Sequence, residues 1–128
     1  MPPATPRRIF EQWISQAVAA LPDELRARLE NVAFVLEDDD RSGRYLGLYH
    51  GVPKPHRTLN DSGVLPDKIT IFQTPIEREA DSPEALPDLV RLVVWHEIGH
   101  YFGFSERRVR QMEHHWAKRL KTRDHEHH

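Results

Sequence analysis

The segment from Pro87 to Gly103 constrains the fold more than any other, because its sequence predicts a helix with two defined ends. Proline is suited to the first turn of a helix, and glycine is common just after the last turn. Ser82-Pro83-Glu84 is a further helix-start signal, so we expect an irregular start and a regular helix from about Pro87 to Phe102.

Two other segments have helical signals. Apolar residues from Phe10 to Leu21 recur on one helical face, which predicts an amphipathic helix over residues 7–20. Pro22 ends this helix, and a short helical turn over Asp23–Leu29 is compatible with the sequence. Ser105 is a good N-cap for a last helix from Glu106 to about residue 120. The polar tail, residues 121–128, is expected to be disordered.

Three segments between these helices are rich in β-branched and aromatic residues, which favour strands. They are Asn31–Glu37, Arg44–His50 and Lys68–Thr74, the last of them stopped by Pro75. Residues 51–67 form a long loop, and long loops in compact domains are often functional. The order of elements predicts one α+β domain over residues 1–128, with a small mixed sheet of about three strands.

Composition excludes several classes of function. The chain has 128 residues and no cysteine, which rules out disulfides, thiolate metal sites and cysteine nucleophiles. The net charge of −2 shows no basic footprint for nucleic acid, and no apolar run is long enough to span a membrane. The N-terminus has no apolar signal-peptide region, so we expect a cytoplasmic protein.

His96-Glu97-Ile98-Gly99-His100 carries the chemistry. Histidines four residues apart project from one face of a helix, where two imidazoles can bind one zinc ion. Glu97 is close enough to act as a general base that takes a proton from a zinc-bound water. Sites built from histidine and carboxylate also accept nickel, cobalt or manganese.

A third ligand is needed, since catalytic zinc usually has three protein ligands and one open position. Gly103 lets the chain turn sharply after the helix, and Glu106 then returns to the site. An acid at a helix start is also favourable to the helix dipole in any protein, so Glu106 has that alternative explanation. Glu113 and His114, further along the same helix, are alternative third ligands or surface groups.

The segment from His96 to Glu106 resembles the compact bacterial minimal zincins, a zinc metallopeptidase-like family. Further similarity lies at Asn31-Val32, at Leu46-Gly-Leu-Tyr49 with Gly51, and at Leu65–Phe72 with Pro75-Ile76, and the resemblance extends from about residue 10 to residue 120. It implies a zincin-like fold, zinc on His96 and His100, and Glu97 as the base. The third position of the family pattern usually carries Asp, whereas this chain has Glu106.

The resemblance implies a zinc metallopeptidase that acts on a peptide or protein. In such enzymes the substrate pairs as an extended strand with a sheet edge, and we expect residues 68–74 to be that edge. Two alternatives stay open: a binding or regulatory module that keeps the fold and the metal, and a different hydrolase such as an amidase.

Other residues have weaker claims to function. Arg44, Tyr45, Tyr49 and His50 are candidates for polarising a substrate carbonyl, although strand tyrosines usually pack in the interior. Trp95 is expected in the core. Asp38–Asp40 lacks the spacing of an EF-hand and is read as an acidic turn. The histidines at 125, 127 and 128 can bind stray metal, but disorder is the simpler expectation.

Overall fold

The computed structural model describes residues 5–39, 42–53 and 65–126. Within these residues five α-helices accompany one small sheet, which confirms the predicted α+β class. The helices are α1 (Arg7–Ala19), α2 (Asp23–Arg26), α3 (Gln73–Glu79), α4 (Leu86–Tyr101) and α5 (Glu106–Glu126). The strands are β1 (Val32–Glu37), β2 (Gly47–His50) and β3 (Asp67–Phe72).

The sheet has the order β1-β3-β2, with β3 parallel to β1 and antiparallel to β2. Strand β3 is therefore central, and its residues 69–72 are buried whichever face they point to. The expectation that residues 68–74 form the open edge is wrong. Alternating hydrophobicity predicts a strand but does not identify the neighbours of that strand. Strand β2 is the edge strand that packs against α4.

Helix α4 contacts both α1 and the sheet. Phe10, Ile14 and Ala17 form the buried face of α1, as their helical spacing predicts. The indole nitrogen of Trp95, a residue only 1% exposed, donates a hydrogen bond of 2.8 Å to the Ala17 carbonyl. The expectation that Trp95 belongs to the core is confirmed. This packing holds the second half of α4 in place.

Helix α4 begins as its sequence predicts. A 3-10 turn, Pro83–Ala85, precedes the regular helix, which starts at Leu86 and has Pro87 in its first turn. Two hydrogen bonds that define a Schellman motif end it: the Phe104 amide bonds to the Gly99 carbonyl (3.0 Å), and the Gly103 amide bonds to the His100 carbonyl (2.9 Å).

The third strand ends earlier than its sequence suggests. Residues 73–79 form helix α3, so the prediction of a strand to Thr74 that is stopped by Pro75 is wrong. Pro75 is the third residue of α3. The backbone amides of the first helical turn have no hydrogen-bond partner within the helix, so a proline there removes no helical hydrogen bond. Proline is thus compatible with a helix start as well as a strand end.

The last helix runs further than predicted. It continues to Glu126, because no glycine or proline follows Gly103 in the sequence to end it. The expectation of disorder in the tail, residues 121–128, stays a prediction. Residues 127 and 128 and the side chain of His125 lie outside the described residues. Over the described part of the chain, no helix is long and apolar enough to cross a bilayer.

Two predicted connections are only partly described. Residues 54–64 of the long loop and Asp40 of the acidic turn lie outside the described residues. In the rest of that turn, Asp38 pairs with Arg7 at 3.2 Å and Asp39 pairs with Arg78 at 3.8 Å. These exposed pairs are consistent with an acidic turn that is neutralised by arginines.

Candidate metal centre

His96 and His100 lie on the last two turns of α4, with their ring centroids 4.8 Å apart. Both side chains are about one-third exposed, so they are accessible from outside while their backbone belongs to a buried helix. The helical repeat places the two imidazoles side by side, as the four-residue spacing predicts.

The turn after α4 directs the chain back toward these rings. Gly103 has a φ of 74°, a left-handed conformation that glycine adopts without steric cost. Ser105 then caps α5, because its hydroxyl accepts a hydrogen bond of 3.2 Å from the Arg108 amide. Helix α5 therefore begins with Glu106 beside the two histidines.

Glu106 faces the Nε2 atoms of both histidines with its two carboxylate oxygens. Oε1 lies 3.2 Å from Nε2 of His100, and Oε2 lies 3.6 Å from Nε2 of His96. The helix-start position alone does not require this direction of the side chain. The Glu106 carboxylate thus lies close to the Nε2 atoms of both histidines.

Glu113 contacts the other side of the His96 ring. Its Oε1 lies 3.0 Å from Nδ1 of His96, and its side chain is only 17% exposed. This hydrogen bond raises the pKa of His96 above the ordinary value of 6.5, although burial acts in the opposite direction. Glu113 therefore lies away from the Nε2 cluster, and His114, exposed on α5, makes no described contact with it.

Glu97 is the buried carboxylate of the site, at 8% exposure. Its Oε1 accepts a hydrogen bond of 2.9 Å from the Tyr49 amide at the outer side of β2. Burial raises the pKa of Glu97, whereas the positive charges of His100 and His96 and the Tyr49 hydrogen bond lower it. A general base works best when its pKa lies near the operating pH, so this direction suits proton transfer.

Two glycines allow the close packing that assembles the site. A Cβ atom on Gly47 would lie 2.7 Å from Cγ1 of Val93 and 3.2 Å from Cγ of Glu97, so β2 can approach α4 this closely only without a side chain there. A Cβ atom on Gly99 would lie 2.5 Å from a methyl carbon of Val109 on α5. The first contact positions Tyr49 against Glu97, and the second lets α5 pass close to α4.

The donor set fits a zinc ion. Ligands about 2.0–2.1 Å from zinc and arranged as a tetrahedron are roughly 3.3 Å from one another. The nitrogen–oxygen separations of 3.2 and 3.6 Å between Glu106 and the histidines are close to that value. Within the described residues, the close group of possible ligand atoms, all within 4.8 Å of one another, consists of His96, Glu97 and His100, so it contains Glu97 and not Glu106. Nitrogen and carboxylate oxygen are donors that zinc accepts.

The four candidate polarising residues differ in their positions relative to the site. The Tyr49 hydroxyl is directed to the carboxylate of Asp67, at 2.6 Å, and its ring packs edge-on against Tyr101. His50 is exposed on β2 and lines neither cavity at the site. Tyr45 is 49% exposed and lines both cavities, and Arg44 lines one of them.

Sequence reasoning missed two features of the site. The Tyr49 amide that binds Glu97 is a backbone group, for which the sequence carries no signal. The apolar residues Leu89, Leu92 and Val93 line a cavity next to His96. They precede His96 by seven, four and three residues, a spacing that places them on its helical face and could have identified them.

Comparison with known proteins agrees with this geometry. A family model described as a zincin-like metallopeptidase matches residues 23–116, which is well over half of the chain. The match contains both histidines, Glu97, Glu106 and Glu113. A search of the curated proteins finds no match.

Proposed function

Because this chain belongs to the zincin-like metallopeptidase family, we propose that it is a zinc-dependent metallopeptidase that hydrolyses peptide bonds. One observation carries most of the weight: the Glu106 carboxylate meets the Nε2 atoms of His96 and His100, with a buried carboxylate, Glu97, beside them.

We assign His96, His100 and Glu106 as the zinc ligands. Glu106 suits this role better than Glu97, because one oxygen of Glu97 already accepts the Tyr49 amide. Zinc at this position supplies Lewis acidity, which activates water and polarises a peptide carbonyl.

Glu97 has the role of general base. Its carboxylate accepts a proton from the attacking water and later delivers that proton to the leaving amine. The hydrogen bond from the Tyr49 amide holds one oxygen, so the second oxygen is the atom that exchanges the proton. Burial of Glu97 keeps its carboxylate out of bulk solvent and raises its pKa, which strengthens it as a base.

The substrate is proposed to be a peptide or protein segment that binds in extended form along β2. The Leu46 carbonyl accepts a hydrogen bond from the Phe72 amide of β3. In an antiparallel pair, successive residues of a strand direct their amide and carbonyl alternately toward and away from the partner strand. The amide and carbonyl of Gly47 therefore point to the outer side of β2. Main-chain groups at a strand edge can pair with an added strand. Gly47 also borders both cavities of the site, which brings a bound peptide next to Glu97.

The test combines metal content with cleavage. Purified protein is analysed for zinc and incubated with a mixed peptide library, in parallel with Glu97→Gln and a control, Glu84→Gln, whose side chain is exposed away from the site. We expect one zinc per chain in all three proteins, cleavage by wild type and Glu84→Gln, and a loss of cleavage of about 100-fold or more in Glu97→Gln.

Two results would overturn the proposal. Equal cleavage by Glu97→Gln and wild type would remove the general base from the mechanism. Zinc binding without cleavage of any peptide in the library would identify the chain as a metal-containing binding module.

A further inference from the structure

Tyr49 contacts three parts of the fold. Its amide donates a hydrogen bond of 2.9 Å to Oε1 of Glu97, and its hydroxyl donates one of 2.6 Å to Oδ2 of Asp67. Its ring packs edge-on against Tyr101, with the ring centroids 6.2 Å apart. Glu97 and Tyr101 are four residues apart on one face of α4. Tyr49 of β2 therefore contacts two successive turns of α4 and also the first residue of β3.

The side chain links Tyr49 to β3 at a position where the main chain does not. The amide of Tyr49, like that of Gly47, points away from β3, because successive residues of β2 alternate in direction. This direction lets the amide bind Glu97. The hydroxyl then connects the same residue to the central strand through Asp67.

Asp67 reaches the Tyr49 hydroxyl because Gly51 leaves room for its carboxylate. The register that pairs His50 with Lys68 continues to Gly51 and Asp67. A Cβ atom on Gly51 would lie 2.5 Å from Cγ of Asp67 and 2.6 and 2.8 Å from its two carboxylate oxygens. The carboxylate thus occupies the space of a side chain at residue 51, and an aromatic residue is long enough to reach such a diagonal neighbour.

The hydrogen bond between Tyr49 and Asp67 resists disruption. Asp67 is only 6% exposed, and burial of a carboxylate costs free energy unless a donor compensates it. The distance of 2.6 Å lies within the range of about 2.5–2.7 Å that is typical of a hydroxyl bonded to a carboxylate. The position of the Tyr49 side chain is therefore restricted, and so is the position of its amide beside Glu97.

We propose that Asp67 is a positioning residue for the general base. Through the Tyr49 hydroxyl, Asp67 holds β2 at the distance from α4 at which the Tyr49 amide binds Oε1 of Glu97. The bound oxygen limits rotation of the Glu97 carboxylate, so Oε2 keeps one direction for proton transfer. The effect on cleavage rests on the proposed function, whereas the contact between Tyr49 and Glu97 can be measured without metal.

Hydrogen exchange of the residue 49 amide measures this contact in metal-free, isotope-labelled protein. Tyr49→Phe removes the hydroxyl, and Asp67→Ala removes its acceptor. Loss of a hydrogen bond to a charged group speeds exchange by about 10–100-fold, and Glu97→Ala gives the upper limit for this amide. We expect the first two variants to exchange at residue 49 about 10-fold faster than wild type. Each rate is taken relative to that of the amide of Val94, a buried residue of α4 that reports the overall stability of the fold.

Tyr101→Phe provides a matched control. It removes another hydroxyl from the same cluster, one that accepts a hydrogen bond of 3.1 Å from the Glu30 amide and belongs to a residue only 1% exposed. This variant should lower the melting temperature as well, but leave the relative exchange at residue 49 and kcat unchanged. Asp67→Asn keeps an oxygen that accepts the Tyr49 hydroxyl, so it should lose less than Asp67→Ala.

Cleavage kinetics separate a positioning role from a binding role. We expect Tyr49→Phe to lower kcat by about 10-fold or more, since a misplaced catalytic group slows the reaction, and to change KM by less than about 2-fold. Zinc affinity should stay that of wild type, because Asp67 and Tyr49 act on Glu97 and not on the proposed ligands.

Two results would overturn this role of Asp67. One is relative exchange at residue 49 that is no faster in Tyr49→Phe than in Tyr101→Phe, which would leave a structural contact alone. The other is a rise in KM with unchanged kcat, which would assign the contact to substrate binding. Faster exchange in a protein that cleaves no peptide would refute the peptidase and support the positioning of Glu97, whereas unchanged exchange in an active enzyme would refute the positioning alone.

Discussion

Replacing Glu113 should weaken zinc binding although Glu113 is not an expected ligand. A neutral imidazole carries its proton on one nitrogen, and zinc binds the other. Because Glu113 Oε1 lies 3.0 Å from Nδ1 of His96, it favours the tautomer that leaves Nε2 available beside Glu106 and His100. The carboxylate also fixes the orientation of the ring.

The structure indicates the magnitude of this effect. Glu113 is 17% exposed, so its hydrogen bond is mostly protected from water. A hydrogen bond to a charged group is worth about 1.5–3 kcal/mol, and loss of such outer partners typically lowers metal affinity by about 10–100-fold. We expect Glu113→Ala to fall in that range at pH 8. Glu113→Gln should lose less, because its amide oxygen still accepts a hydrogen bond from Nδ1.

The assay is competition for zinc with a chromophoric chelator, and circular dichroism checks that each variant is folded. His114→Ala is the control, since this neighbouring residue on α5 is exposed. A purely structural role of Glu113 would lower the melting temperature of the metal-free protein without changing the absorption spectrum of the cobalt-substituted site. The positioning role is refuted if folded Glu113→Ala and Glu113→Gln bind zinc as wild type does.

Three further predictions concern the same site. Gly47→Ala should cost about 1–3 kcal/mol of stability through its clash with Val93, measured by thermal unfolding, and Val93→Ala in the same chain should recover part of it. Glu106→Ala should lower zinc affinity by more than about 100-fold, whereas Glu106→Asp should keep measurable binding; equal loss in both would contradict ligation. The raised pKa of His96 means that its charged form stabilises the metal-free fold below pH 6.5 and that this contribution is lost as pH rises through the raised value. Zinc competes with that proton, so the zinc-induced increase in melting temperature should be larger at pH 8 than at pH 6.

Features that depend on neighbours along the chain could be predicted from sequence. The ends of α4 follow from Pro87 and Gly103, and the positions of His96 and His100 follow from the helical repeat. Helix α3, which the sequence analysis did not predict, also depends on residues that are close in the chain. Pro75 is acceptable both at a strand end and in the first helical turn, so the residue by itself does not decide between them.

Features that depend on distant contacts could not be predicted in this way. The central place of β3 follows from pairing with two strands that are distant in sequence, and the alternation of its side chains is the same at an edge or in the middle. The Tyr49 side chain likewise has a partner, Asp67, that only the antiparallel pairing of β2 with β3 brings near. Its aromatic character in a strand was compatible with either a catalytic or a packing role.

Three elements assemble the site, and each contributes what the others cannot. Helix α4 supplies two imidazoles and Glu97, but a single helix cannot surround a metal ion with ligands. Strand β2 approaches closely enough to bind Glu97 because Gly47 has no side chain, and α5 crosses close to α4 because Gly99 has none. A site of this kind is therefore sensitive to the two spacings between its elements. A substitution that adds a side chain at either glycine should therefore disturb the relative positions of the proposed metal ligands and Glu97.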